Sequence, residues 1–411
     1  MDIALDENGK SVSLSVAITR EQWQRIRHEQ SFYCPICKEK VLLKLGLEKK
    51  WHFAHRTDSQ CVNGSPLESK EHQNAKQLLY EWLSRYHNYV EQEAQVPSLP
   101  LRPDVFFQRF NQYYSFEIQR SAIDPIDFYS RHVTYLNNDI QPLWLGCKSQ
   151  LRRKSECEFH FSSLDWLLLQ TSLTSFPQQA IGYIDVQNKA IIQLSYPIPL
   201  APNNIYAQPK VLHLNEHPFQ EKLFLPSDDY HWNKICDHWK KQRHKWRTQT
   251  YRQLSRAESY MNEVYRSFLM NLNYFPSLCC FPIPSSIVIR TPPPLWQSWI
   301  VFKFLSKYRL HQVFTLDILI EQFLHCVKRN IFDIRPSLFE TPHESLIRPF
   351  NDYLYCLEHV GFLEQVRPGQ YVRRKKISIC SDLEELVKED EKVHNIYSRE
   401  AFAKIMFRVS N

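Results

Sequence analysis

Glycine is scarce in this sequence, with 7 in 411 residues against 24 prolines. That scarcity excludes a glycine-rich low-complexity or collagen-like chain. With 43% hydrophobic and 23% charged residues, the composition is that of an ordinary globular protein. No uninterrupted apolar stretch approaches the roughly 18 residues a spanning helix needs. The opening MDIALDENGK has no apolar run behind a basic start. A soluble, cytoplasmic protein without a membrane span is expected. A strong excess of one charge is also missing. The 51 basic and 44 acidic side chains leave a formal net charge of +7, which permits a polyanionic partner without demanding one. No internal repeat is present, and the length predicts two or three domains.

The chain does contain 11 cysteines and a 14% aromatic share. In a reducing compartment, paired cysteines are metal ligands more often than disulfides. Isolated Cys147 and Cys326 read as small buried hydrophobes. The pair Cys34-Pro35-Ile36-Cys37 is followed by VLLKLGLEKKW, able to form the hairpin of a ribbon. Trp51-His52-Phe53-Ala54-His55 and then Cys61 come next. A Cys-x-x-Cys turn points two thiolates into one tetrahedron, so a structural Zn²⁺ held by Cys34, Cys37, His52 and His55 is expected. On a regular strand the two histidines face opposite ways, so either the chain bends there or Cys61 replaces one of them. No glutamate of the H-x-E type sits in the cluster, which argues against a catalytic zinc.

Downstream, the pattern predicts an amphipathic helix over 66–88. Three strand-like pieces follow, Tyr89 to Val96, Val105 to Phe107 and Tyr113 to Ile118. A helix around Ile126 to Leu136 and an apolar strand Pro142 to Leu145 complete the series. Asp104 opens the second strand, and Glu117 and Gln119 lie two apart on the third, on one face. If those strands pair as a hairpin, Asp104 and Glu117 converge and can hold Mg²⁺ or Mn²⁺ against a phosphate. Gln119 takes a place more often filled by lysine and can hold a water. On the preceding helix, Glu68, His72 and Lys76 form one polar stripe. Glu71 is turned roughly 60° from Glu68, which leaves Glu68 as the expected helical carboxylate. The order and spacing are those of a PD-(D/E)XK nuclease site. Each signal alone is weak, since an E-x-Q strand face or a Glu/His/Lys stripe is ordinarily just solvated.

The strings FYCPICKEKVLLKLG, WHFAH, ESKEHQNAKQLLYEWL, RPDVFF and FEIQRSAI, the helix with Arg131 and Tyr135, and PLWLG together resemble the competence protein CoiA family. The resemblance is close over about residues 1–150 and weaker beyond. It implies a restriction-endonuclease-like fold and a role in processing or recombining incoming DNA during natural transformation. It assigns the catalytic positions to Glu68, Asp104, Glu117 and Gln119, with His72 and Lys76 in support.

The expected architecture is α+β or α/β: a zinc-ribbon-like segment at 1–62, a nuclease-like domain at 63–155, a β-rich connecting region at 156–228 and a mostly helical region at 229–411. Within the connecting region, IGYIDVQNKAIIQLS reads as a hairpin, and proline-rich 196–209 as a linker or irregular edge. Beyond TPPPLW, 295–330 and 343–360 read as helices. With the strand–turn–strand GFLEQVRPGQYVRRKK they suggest a winged-helix shape over 295–376. In DHWKKQRHKWR, the basic residues Lys240, Lys241, Arg243, Lys245 and Arg247 are candidate phosphate contacts. Trp239 and Trp246, seven apart, fit a buried helix stripe better than a base-stacking pair. Arg373, Arg374, Lys375 and Lys376 form a second basic candidate.

Three functions compete at this stage. The first is a metal-dependent deoxyribonuclease acting on single-stranded DNA or recombination intermediates. The second is a non-catalytic DNA-binding adaptor delivering single-stranded DNA to a recombinase or another competence protein. The third is a transcription regulator built on the C-terminal end.

Overall fold

The structure, a computed structural model, describes residues 3–406 except 15–17, 35–36, 47–50, 56–68, 97–98, 176–179, 220–230, 381 and 398. The chain divides into two compact units, 1–74 and 75–411.

The first unit is a five-stranded antiparallel sheet with one helix. Its elements are β1 (Ile3–Leu5), β2 (Ser11–Ser13), α1 (Arg20–Glu29), β3 (Phe32–Tyr33), β4 (Lys40–Lys44) and β5 (His52–Ala54), and the strand order is β2-β1-β3-β4-β5. Thr19 is the N-cap of α1. Its hydroxyl accepts from the Gln22 amide while the Gln22 side chain accepts from the Thr19 N–H, a reciprocal cap. In β4, alternation turns Val41 and Leu43 inward. There they join Trp23, Phe32, Cys34 and Phe53 in a small core.

Helix α2 (Lys70–Leu83) begins at the end of the first unit and continues into the second, which goes on with β6 (Val90–Gln92), β7 (Val105–Arg109), β8 (Gln112–Gln119), α3 (Pro125–Leu136) and β9 (Ile140–Cys147). The expected series of helix, three strands, helix and strand is thus present. Residues up to 68 of the expected first helix lie outside the described residues. The remaining sheet elements are β10 (Arg152–Arg153), β11 (Glu158–His160), α4 (Ser163–Ser175), β12 (Ala180–Asp185), β13 (Ala190–Ala201) and β14 (Asn204–His213). All nine strands form one sheet in the order β10-β11-β14-β13-β12-β9-β8-β7-β6. The β8/β9 and β9/β12 pairs are parallel. One face of this sheet packs on the apolar side of α2, where Leu79 and Trp82 meet Phe107, Phe116 and Leu145. The other face is covered by α3 and α4, through Phe128, Tyr135 and Leu168.

The structure departs from two sequence readings here. The sheet continues past residue 155 without a break, so β10–β14 extend the nuclease-like layer rather than connect it to something else. Segment 196–209 is no linker. It is the arm of the long β13/β14 hairpin, in which Pro197 and Pro199 fall at register shifts between Ser195 and Ile198 and between Pro199 and Ala201, Pro202 lies in the turn and Pro209 pairs with Leu194.

The C-terminal part of this unit contains α5 (Trp232–Thr248), α6 (Arg256–Arg266), α7 (Pro293–Trp299), β15 (Val313–Thr315), α8 (Leu316–Lys328), α9 (Pro342–His359), β16 (Leu363–Arg367), β17 (Gln370–Arg373), α10 (Leu383–Ile396) and α11 (Arg399–Met406). Its core takes in Tyr196, Ile198 and Tyr206 from the β13/β14 hairpin beside Trp239, Trp296 and Phe350, so sheet and helices share buried surface. The region 295–330 is not continuous helix. A short strand, β15, interrupts it and completes a sheet of order β15-β17-β16. Among the described residues, no helix is long and apolar enough to cross a membrane.

Candidate functional site: an acid pair and a thiol–imidazole cluster

The thiol–imidazole cluster forms where β3 turns into β4. The Cys34 N–H donates to the Glu39 carbonyl (2.8 Å) and the Lys38 N–H to the Cys34 carbonyl (3.0 Å), with Lys38 in the left-handed region at φ 61°. This tight knuckle turns both thiols one way. The ligand atoms of Cys34, Cys37 and His55 all lie within 4.8 Å of one another, and Cys37 Sγ is 3.3 Å from His55 Nε2. His52 does not join them. In β5, Phe53 faces the core opposite Leu43, so His52 points to the other face, while His55 follows the last strand residue with the parity of Phe53. Cys61 lies outside the described residues. Two thiols and an imidazole suit a structural zinc, which takes nitrogen and sulfur donors.

The acid pair sits on the β7/β8 hairpin. Val105 pairs with Phe116, which sets Asp104 across from Glu117 at one end. The Asp104 N–H approaches Glu117 Oε1 at 3.4 Å, and Asp104 Oδ2 accepts from the Ile118 N–H at 2.8 Å. Glu117 is 1% exposed. Its Oε1 accepts from Ser115 Oγ at 3.0 Å and from the Tyr135 hydroxyl at 2.6 Å, and its Oε2 pairs with the Arg131 guanidinium. Burial raises the Glu117 pKa to about 7. The charge of Asp104 pushes the same way, against Arg131, Tyr135 and Ser115. Gln119 lies on the same strand face, and its amide donates to the Ser121 carbonyl at 2.8 Å.

Lys76, in α2, is buried and pairs with Glu93 at 2.5 Å. The Glu93 N–H in turn donates to the Asp104 carbonyl at 3.2 Å. Lys76 therefore anchors the backbone that delivers Asp104 rather than forming a solvated stripe. His72 occupies the first turn of α2, within the first unit, and its N–H donates to Ser69 Oγ. Glu68 lies outside the described residues. Sequence reasoning gave no role to Arg131 and Tyr135 as partners of Glu117, or to Ser115. Their signal was available: Arg131 and Tyr135 are four apart on one face of the helix after the acidic strand, and Ser115 shares the face of Glu117.

The basic helix α5 divides into two sides. Arg243 and Arg247 are buried and converge on Asp390 of α10, with Arg247 Nη2 at 2.7 Å and Arg243 Nε at 3.3 Å. Arg247 also donates to the Phe275 carbonyl at 2.7 Å. These two residues hold the fold together and do not face a phosphate, which corrects the sequence reading. Lys240, Lys241 and Lys245 are exposed. Trp239 and Trp246 are buried edge to face, 5.5 Å apart, as a helix stripe predicts. In the second basic candidate, Arg374 pairs with Glu364, Arg373 donates to the Tyr308 carbonyl, and Lys375 to that of Val360.

Comparison with known proteins places this geometry in a family context. Three family models match in succession: the N-terminal domain of competence protein CoiA at residues 16–63, its nuclease-like domain at 68–227 and its C-terminal domain at 235–387. The nuclease-like match takes in β10–β14, in keeping with the continuous sheet. The chain is also similar to the competence protein CoiA of Bacillus subtilis (strain 168), 23% identical over 375 residues, covering 90% of this chain and 96% of that protein. No solved structure matches the chain.

Proposed function

Because this chain belongs to the competence protein CoiA family, we propose that it is a metal-dependent nuclease of natural transformation that acts on incoming DNA. The observation that carries this reading is the convergence of Asp104 and Glu117 at one end of the β7/β8 hairpin. The surrounding frame supports it. Antiparallel β6-β7-β8 followed by a helix and a parallel β9 is the arrangement in which restriction-endonuclease-like enzymes present their acids. Two adjacent carboxylates, one buried and resisting ionisation, are relieved by a divalent cation. Mg²⁺ or Mn²⁺ held by Asp104 and Glu117 would supply the charge that activates water and neutralises the phosphate. Gln119 positions the attacking water through its amide. Arg131, beside the acids, balances Glu117 and can turn toward a phosphate. Lys76, through Glu93, fixes the strand entry that carries Asp104. Glu68, outside the described residues, and His72 remain candidates on their spacing in the sequence. A structural zinc is held by Cys34, Cys37 and His55, with Cys61 rather than His52 as the fourth ligand.

A second reading, a non-catalytic DNA-binding adaptor, is favoured by one specific observation. Glu117 is almost wholly buried and already has Arg131, Tyr135 and Ser115 as partners. A cleavage assay separates the two. Wild-type protein with Mg²⁺ or Mn²⁺ is expected to cut single-stranded, duplex or branched DNA. Asp104→Ala and Glu117→Ala are each expected to remove cutting while leaving DNA binding intact. Salt-dependent binding without cutting of any of these substrates would leave the adaptor as the function.

A further inference from the structure

At the end of the β7/β8 hairpin opposite the acids, the surface is aromatic. A groove of about 510 Å³ is lined there by Tyr86, His87, Tyr89, Arg109 and Phe110, with Phe219 among its walls. Phe110 is 82% exposed, Tyr86 44% and Tyr89 40%. Phe110 also adopts a left-handed backbone at φ 52°, in a two-residue turn where asparagine or glycine would be unstrained. Neither packing nor solubility asks for a phenylalanine ring at such a turn. The Arg109 guanidinium lies 4.7 Å from the centre of that ring. Tyr113, 39% exposed, stacks on Phe106 at 5.4 Å, and Phe106 meets Tyr89 edge to face at 6.0 Å. Tyr113 shares the strand face of Ser115 and Glu117. Exposed Tyr113 therefore lies between the hairpin tip and the acid pair on the acids' sheet face, with Ser115 and Glu117 buried beyond it, and the tip is roughly 20 Å from the acids at about 3.3 Å per strand residue. No carboxylate is among the described residues lining the groove. The nearby Glu91 carboxylate interacts with the Tyr89 hydroxyl.

We propose that this groove is a stacking platform for a single-stranded nucleic acid, with Phe110, Tyr86 and Tyr89 taking the faces of unpaired bases and Arg109 the adjoining phosphate. Exposed rings beside an arginine are the two components of sequence-tolerant single-strand binding. A duplex does not fit this chemistry, because its base faces are already stacked on one another. The proposal deepens the nuclease reading by naming the form of its substrate, and it takes its setting from that reading.

The test needs no cleavage. Full-length protein in chelator is titrated into a labelled oligothymidylate and into a blunt duplex of equal length. Phe110→Ala is expected to weaken oligothymidylate binding by about tenfold, the loss of one stacked base, with the salt dependence unchanged. Phe110→Trp keeps the affinity, and duplex binding is unaltered in both. Arg109→Ala lowers the salt dependence instead. The proposal is overturned if wild-type protein does not bind the oligothymidylate, if Phe110→Ala and Tyr86→Ala bind it as wild type does, or if both nucleic acids weaken alike. It is also overturned if Phe110→Ala alters only the sedimentation of the protein, since the rings would then meet another protein surface. Absence of cutting with the stacking loss intact removes the nuclease reading and leaves this site standing.

Discussion

Two buried side chains, Glu117 on β8 and His132 on α3, pull stability in opposite directions with pH. Glu117, with its folded pKa raised from 4.5 to about 7 by burial and Asp104, holds its proton in the folded protein when the unfolded chain has lost it. Stability from this group is fullest below about 4.5 and declines as pH rises toward 7. His132 does the reverse. It is buried on α3, where its Nδ1 accepts from Trp144 Nε1 at 3.1 Å, and burial lowers its pKa from 6.5 to about 4. The unfolded chain takes up that proton first, so stability is full above 6.5 and is lost as pH falls toward 4. The windows overlap and the slopes oppose, so melting temperature in chelator is expected to change little across them. Glu117→Gln should expose the histidine's slope, with stability rising from pH 4 to 6.5. His132→Phe should expose the acid's slope, with stability falling between 4.5 and 7. Parallel melting curves for all three proteins would contradict these environments. The sequence revealed the acids because residue type and strand parity are local. Their partners are only half legible: the spacing of Arg131 and Tyr135 marks one helix face, but that this face meets Glu117 is decided by how α3 folds back over β8.

Among the elements, α5 shows how composition misleads. Its basic residues look alike in sequence, yet Arg243 and Arg247 point inward to Asp390 and only the lysines face solvent. Removing one partner of a buried, hydrogen-bonded ion pair costs about 3–5 kcal/mol, so Arg247→Ala should lower the denaturation midpoint sharply. Combined Lys240→Ala, Lys241→Ala and Lys245→Ala should change stability by less than about 0.5 kcal/mol per site. The same triple change should weaken salt-dependent DNA binding if that face meets phosphates. Equal melting temperatures for Arg247→Ala and wild type would show that the pair does not hold α10 to α5. Strand β15 was missed for a related reason. Three residues, Val313–Thr315, give too short an alternation to register between helical patterns, and only pairing with β17 defines them. The hairpin arm at 196–209 is not legible as strand because its prolines argue against one. Bulges take Pro197 and Pro199 at places a sequence does not mark.

At the scale of the whole molecule, the two units differ in what can hold them folded. The second has several apolar clusters spanning a nine-stranded sheet and a helical layer. The first relies on one small cluster, from Ala4 to Phe53, that includes the thiol-bearing Cys34. Small domains bury too little apolar surface to be robust alone, and metal binding then becomes folding free energy. The Cys-x-x-Cys spacing made the clustering of Cys34 and Cys37 legible, whereas the choice of His55 over His52 required the strand parity of β5. Purified protein is expected to carry one zinc. Cys34→Ser and Cys61→Ser should lose it and His52→Ala should keep it, as read by metal analysis. On chelation, amide exchange should accelerate throughout residues 1–74 while the β7–β9 amides stay protected. If His52→Ala empties the site and Cys61→Ser does not, the fourth ligand is the histidine and β5 must bend. If chelation leaves exchange in 1–74 unchanged, the small core suffices and the cluster is not a structural centre.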